Sequence, residues 1–205
     1  MIRKFLIYCK SDGVKDALFY VWKTILSLFY IKSKTCFLEL KDSHICVSSC
    51  DNYEIRKIEK DDVDTINFPR LMLLPVKKWI ERGSLLYVTY EGDAPIAFTW
   101  THNGNYEIHG LGSFDLGDNE RWIGPTFVCK EYRGRGLNKR QIAYQIKEAS
   151  DKIYYTSVNS GNIASLASFK RLGFIIFGEA LSKKLFFRKS FIVKGDDLRN
   201  KIKRK

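Results

Sequence analysis

From Trp122 to Ala149 the chain reads as one unit. An apolar run, Trp122 to Val128, leads into Tyr132-Arg133-Gly134-Arg135-Gly136-Leu137-Asn138-Lys139-Arg140, and a helix-like segment follows, Gln141 to Ala149. Strand, glycine turn and helix start, in that order, build a cradle for an anion. The glycines let the backbone approach a ligand closely. The first amides of a helix have no partner within it and lie at the positive end of the macrodipole. A phosphate group suits that position. Arg133, Arg135, Lys139 and Arg140 add positive charge around it. A plain solvated basic loop is the competing reading, because short glycine motifs recur by chance.

Two familiar phosphate motifs are excluded by spacing. No run has two glycines with four residues between them followed by Lys and Ser or Thr, as a P-loop requires. The dinucleotide fingerprint needs a third glycine soon after Gly134 and Gly136, and none arrives. A second segment, Asn162-Ile163-Ala164-Ser165-Leu166-Ala167-Ser168-Phe169-Lys170-Arg171-Leu172-Gly173-Phe174, predicts a capped helix. Asn162 is a good N-cap. Ile163, Leu166, Phe169 and Leu172 follow helical spacing. Lys170 and Arg171 suit the last turn, and Gly173 suits the left-handed residue that ends it. One strand, Ile153 to Val158, is expected between the two segments.

Both segments resemble the GNAT superfamily of acyl-coenzyme A-dependent N-acetyltransferases. The first is similar to its acyl-coenzyme A loop: Arg or Gln, two residues, Gly, one residue, then Gly or Ala, within Val128 to Asn138. Lys130 departs from the usual Pro, and Asn138 from the final Gly or Ala; Asn138 either crowds the phosphate or adds a donor. The second matches the family's Asn-to-Gly-Phe helix throughout. The resemblance covers about residues 53 to 191. It implies an α+β fold, a mixed and mostly antiparallel sheet with helices on both faces, here carrying an extra N-terminal helical segment. It implies acetyl-coenzyme A as co-substrate, held by Phe127, Val128, Arg133, Gly134, Arg135, Gly136, Leu137, Asn138, Lys139, Asn162, Ser165 and Phe169. It implies direct attack by an amine on the thioester, so no protein nucleophile is required. A general base is still needed, and Glu120 and His109 are the candidates. The family often places a Tyr where this chain has Phe169, which leaves coenzyme A to depart as thiolate, or water, Tyr154 or Tyr155 to protonate the sulfur.

Composition bounds the rest. The 205 residues suffice for one sizeable core, and the net charge is +12. Such a charge suits polyanionic partners, although no recognition helix points to nucleic acid. Five cysteines form no regular framework, which fits a reducing compartment and a cytoplasmic protein. His44, Cys46 and Cys50 lack a fourth ligand at suitable spacing, so no metal site is expected. Cys129, beside the turn, is a packing residue rather than a nucleophile.

Three regions are expected: residues 1–50, an N-terminal extension with an apolar helix and a short strand pair (Thr35 to Leu40, Ile45 to Ser49); 51–193, the acetyltransferase-like domain; and 194–205, a solvated basic tail. Within the domain, strands are expected at Tyr53 to Ile58, Ser84 to Tyr90, Pro95 to Thr101, Tyr106 to Phe114, Ile175 to Glu179 and Leu185 to Val193, with a helix from Pro75 to Arg82. Residues 14–31 are apolar with Lys23 near the middle and cations at both flanks. They pack on the domain or a second subunit as in a homodimer, lie at the inner face of a membrane, or span it. The amine acceptor suggested is an amino sugar, nucleotide-linked, of surface-polysaccharide biosynthesis, with O-acetylation of a sugar hydroxyl open. A non-catalytic acyl-coenzyme A- or anionic-surface-binding module of the same fold is the alternative.

Overall fold

The computed structural model describes residues 2–41, 53–108, 111–185 and 188–203. Two antiparallel-contacting helices, α1 (Ile2–Asp12) and α2 (Val14–Phe29), open the chain and break at Gly13, whose φ of 91° no other residue type adopts easily. The long strand β1 (Tyr30–Leu40) follows, then β2 (Glu54–Ile58). Two 3₁₀ turns (Lys60–Thr65 and Pro69–Leu73) and the short helix α3 (Val76–Glu81) come next. Strands β3 (Leu85–Glu91) and β4 (Ala94–His102) form the expected hairpin. Where one strand was expected at 106–114 there are two short ones, β5 (Tyr106–Ile108) and β6 (Gly112–Phe114). Then follow β7 (Glu120–Val128), α4 (Leu137–Glu148), β8 (Ile153–Asn159), α5 (Ile163–Lys170), β9 (Ile175–Leu185), β10 (Arg188–Lys194), α6 (Asp196–Lys201) and β11 (Ile202–Lys203).

Among the described residues the main sheet runs β10-β9-β1-β8-β7-β4-β3-β2, and β11-β6-β5 make a smaller one. Every neighbour pair of the main sheet is antiparallel except β7 with β8. The region read from sequence as an N-terminal extension thus supplies an inner strand. β1 pairs along β8 from Thr35↔Asn159 to Leu40↔Tyr154, and along β9 from Tyr30↔Leu185 to Glu39↔Ile175. Its residues Cys36, Phe37, Leu38 and Leu40 are buried on alternating faces, as a strand covered on both sides requires. The second strand of the expected pair, Ile45 to Ser49, lies outside the described residues.

Within the expected tail, residues 194–203 are folded rather than solvated. Leu198 is fully buried and Ile202 nearly so, in a cluster with Phe37, Phe114, Trp122 and Tyr155. Lys charge misleads here because Leu198 on α6 and Ile202 on β11 sink together into one core. Leu198 sits on Gly178 so closely that a Cβ there would stand 2.7 Å from it. On the opposite face α4 and α5 cover a second core: Leu38, Ile123, Ile142, Ile146, Tyr154, Phe169 and Phe174. A third, with Phe68, Leu86, Phe98 and Trp100, lies under the 3₁₀ turns and α3.

Candidate active site

Strands β7 and β8 are paired only at Glu120↔Ile153, Arg121↔Tyr154 and Trp122↔Tyr155. Beyond that point β7 continues on β4 and β8 continues on β1, so the two diverge. The Thr156 hydroxyl donates to Ile123 O at 2.8 Å and marks the apex of the opening. A wedge therefore splits the middle of the sheet. Cys129 N donates to Ile96 O on the β4 side. Strand alternation then turns the backbone N–H groups of Val128 and Thr126 the other way, into the wedge.

At the mouth of the wedge the chain turns into α4. Gly136, at φ 76° and ψ 8°, is the N-cap, and Gly134 is also left-handed at φ 81°. A Cβ built on either meets nothing within 4 Å, so backbone conformation, not space, calls for glycine here. Leu137 is buried and pins the helix start, leaving the amides of Leu137, Asn138 and Lys139 at the open end.

The cations are placed unevenly. Arg133 donates through Nε to Val128 O (3.1 Å) and through Nη2 to Asp12 (3.0 Å), with its guanidinium 5.7 Å from the Phe127 ring. Arg135 donates to the Tyr53 hydroxyl (3.1 Å) and lies over Tyr132. Nη1 of Arg140 and Oδ1 of Asn138 are buried without a hydrogen-bond partner among the described residues. These features fit a diphosphate with an amide-bearing arm. The open amides and the spare Arg140 donor suit the phosphates, and the Asn138 oxygen suits an N–H of the arm. The Asp12 carboxylate opposes that fit in part, since it competes for Arg133. Burial resists ionisation of Asp12, but Ser11, Arg70 and Arg133 outweigh it and hold the carboxyl below its usual range.

The other expected residues divide. Phe127 packs edge-on against Phe68, in the core under the 3₁₀ turns. Asn162 caps α5, accepting from Ser165 N at 3.2 Å, where β8 ends beside the wedge. Phe169 does not reach the turn: it is 2% exposed, edge-on to Phe174, and belongs to the core. Its place seven residues into the segment puts it on the inward stripe of α5. Glu120, at the start of β7, is about 26 Å along the strand from Val128. It receives Lys201 Nζ (2.6 Å), Gly117 N (2.8 Å) and the Tyr155 hydroxyl (3.2 Å). Burial disfavours its charge, yet those donors dominate and lower its pKa. It anchors α6 to β7 and is a poor base. Tyr155 is spent on Glu120; Tyr154 donates to Ala149 O (2.8 Å) and burial pushes it up to about 12. Neither faces the wedge as an acid. His109 lies outside the described residues, as do His44, Cys46 and Cys50. Burial raises the Cys129 thiol above its ordinary range, which leaves less of it as thiolate.

Sequence reading missed His102. It is 3% exposed, accepts from or donates to the Ser84 hydroxyl at Nδ1 (2.9 Å), and meets Gly124 O at Nε2 (2.8 Å). A carbonyl only accepts, so Nε2 carries the proton and Nδ1 accepts from Ser84. Burial pulls its pKa down to about 4, and it is neutral. Its bond to Gly124 holds β7 where β4 and β7 slip register, between Thr99 and Thr101, beside the wedge. A lone His in a strand gives no sequence signal of such a contact. Asp12 was missed as well, because its partners Arg70 and Arg133 lie 58 and 121 residues away.

The acetyltransferase (GNAT) family profile matches residues 52–174, well over half of the chain, and spans both the wedge and the glycine turn. The chain belongs to the GNAT acetyltransferase family. Solved structures agree on the GNAT fold. A GNAT-family acetyltransferase from Novosphingobium aromaticivorans superposes with TM-score 0.52 at 15% identity over 80% of this chain and 65% of its own. One from Colwellia psychrerythraea gives 0.51 at 12% over 75% and 56%. A Drosophila protein gives 0.50 at 15% over 86% and 56%. This GNAT chain thus spans less than two thirds of each of those structures. No curated protein matches it in sequence.

Proposed function

We propose that this GNAT protein transfers an acetyl group from acetyl-coenzyme A to a primary amine. The observation that carries the reading is the meeting, at one end of β7, of a split in the sheet and a glycine-capped helix start. The amides of Gly136 to Lys139, with Arg140 and Arg133, would hold the pyrophosphate. The pantetheine arm would lie in the wedge as an added strand against the N–H groups of Thr126 and Val128. One of those amides would also receive the thioester oxygen as it gains charge. Acetyl-coenzyme A supplies the activated acyl group. The amine nitrogen bonds to the carbonyl carbon, the carbon–sulfur bond breaks, and the sulfur departs with the electron pair. The proton released by nitrogen passes to a base, for which His109 stands proposed, and sulfur is reprotonated from solvent.

For the acceptor we propose an amino sugar carried on a nucleotide, within surface-polysaccharide synthesis, at the cytoplasmic side of a membrane; a sugar hydroxyl is the other acceptor to test. The basic chain favours an acceptor with phosphates. Calorimetry with coenzyme A tests the cofactor reading: micromolar binding by the wild type, lost in an Arg133→Glu/Gly136→Glu variant that keeps its circular dichroism. Free-thiol release from acetyl-coenzyme A across amino-sugar nucleotides, peptides and polyamines tests the acceptor. Turnover only on peptides or polyamines discards the sugar, and absent coenzyme A binding discards the transferase.

A further inference from the structure

Helix α2 is set on the protein the wrong way round for a helix in water. Its inward side carries Ala17, Tyr20, Val21, Thr24 and Ser27, with both hydroxyls returned to backbone carbonyls at Tyr20 O and Thr24 O. Its outward side carries Val14 (60% exposed), Leu18 (57%), Phe19 (65%), Trp22 (59%), Ile25 (40%) and Leu26 (49%). At about 100° per residue these six occupy one arc of roughly 140°. Lys15 lies within the arc and Lys23 about 40° beyond its edge, both exposed. An apolar face of this extent calls for a cover.

The charges say which. The first 34 residues hold seven cations and two carboxylates. Both carboxylates are committed to the rest of the protein: Asp12 to Arg70 and Arg133, Asp16 to Lys130 at 2.7 Å. The arc is left apolar and cationic. A second copy of the chain would set Lys15 and Lys23 against their own kind with no carboxylate between. Spanning is excluded for α2: its 16 residues reach about 24 Å, short of a hydrocarbon core of about 30 Å, and no described helix is long and apolar enough to cross a membrane.

We propose that α2 docks the protein on an anionic lipid surface. The apolar arc seats at the boundary between headgroups and acyl chains, with Trp22 and Phe19 at interfacial depth and Lys15 and Lys23 reaching up to lipid phosphates. Because Asp12 and Asp16 tie the same hairpin to the turn at 130–133, docking holds the wedge at a fixed height over the membrane.

Vesicle flotation of the full chain tests this. Phosphatidylcholine vesicles with added phosphatidylglycerol should carry the wild type, and phosphatidylcholine alone should not. High salt should release it. Leu18→Glu/Trp22→Glu and, separately, Lys15→Glu/Lys23→Glu should each lower binding at least tenfold, with unchanged circular dichroism and melting midpoint, since these side chains are exposed. Trp22 emission should shift to the blue on vesicles, and the shift should vanish in Trp22→Phe. Wild-type protein that stays with the soluble fraction, variants that float as well as wild type, or an α2 variant whose main effect is to turn a dimer into a monomer in sedimentation velocity would each overturn the proposal.

Discussion

Acid should unfold this protein early through one residue, His102. Its folded pKa of about 4 stands below the ordinary value of 6.5 because burial penalises the charged ring. The unfolded chain therefore takes up a proton at a pH where the folded chain does not. Stability from this group is fully present above pH 6.5, falls as pH drops toward 4, and is flat below. At 1.36 kcal/mol for each unit, the loss is about 2 kcal/mol at pH 5 and about 3 kcal/mol at pH 4. For a chain of this size 2 kcal/mol lowers the melting midpoint by about 4–8 °C. Paired carboxylates such as Asp12 and Glu120 also lose stability in acid, but their pKa values are lowered, so their window lies below about pH 4.5. The interval from pH 7 to 5 thus isolates histidine. The assay is urea unfolding of wild type and His102→Gln at pH 7.5, 6 and 5. The variant should be less stable at pH 7.5, having exchanged the ring's two hydrogen bonds for a looser fit, yet should lose about 2 kcal/mol less than wild type on going to pH 5. Equal slopes in the two proteins would refute the argument that His102 is buried neutral beneath β7.

Other substitutions probe single contacts. Leu198→Ala should cost about 2–5 kcal/mol by opening a cavity against Gly178, measured by urea unfolding; a change under 0.5 kcal/mol would mean the C-terminal residues do not pack. Asn162→Ala should cost about 1 kcal/mol as a lost N-cap, with coenzyme A binding weakened less than tenfold. Asp12→Asn should free Arg133 and tighten coenzyme A binding in calorimetry, although the exchange of a buried ion pair for a neutral amide lowers the melting midpoint. If a transferase assay is established, His109→Asn should depress the rate and remove the acid limb of its pH profile, while Glu120→Gln should act chiefly on stability.

The chain's local codes carried the glycine turn before α4 and the capped α5. A left-handed glycine, an N-cap asparagine and an apolar stripe are each decided within a few residues of sequence. The structure accordingly sets Gly136 at the start of α4, Asn162 at the start of α5 and Gly173, at φ 90°, just after α5 ends. Among the described residues the expected strands also fall close to their places, apart from the break within 106–114 and a β9 longer than periodicity suggested. What those codes could not carry is pairing over distance. Nothing in Tyr30–Leu40 says that it slots between strands more than a hundred residues later. Nothing in Lys194 to Lys203 but two apolar residues hints that it closes a core. Glu120 was a candidate base from sequence because Lys201, which fixes it, is 81 residues away.

Sequence alone therefore determined the family, the order of elements and the turn suited to a diphosphate, because each rests on backbone conformations set by neighbouring residues. Only the tertiary structure decided the wedge between β7 and β8, the neutral buried His102, the Asp12 tie onto Arg133 and the outward turn of α2's apolar face. Those depend on which surfaces the folded chain presses together and which it leaves to water. Burial and long-range pairing are properties of the assembled sheet, and no local pattern of residues contains them.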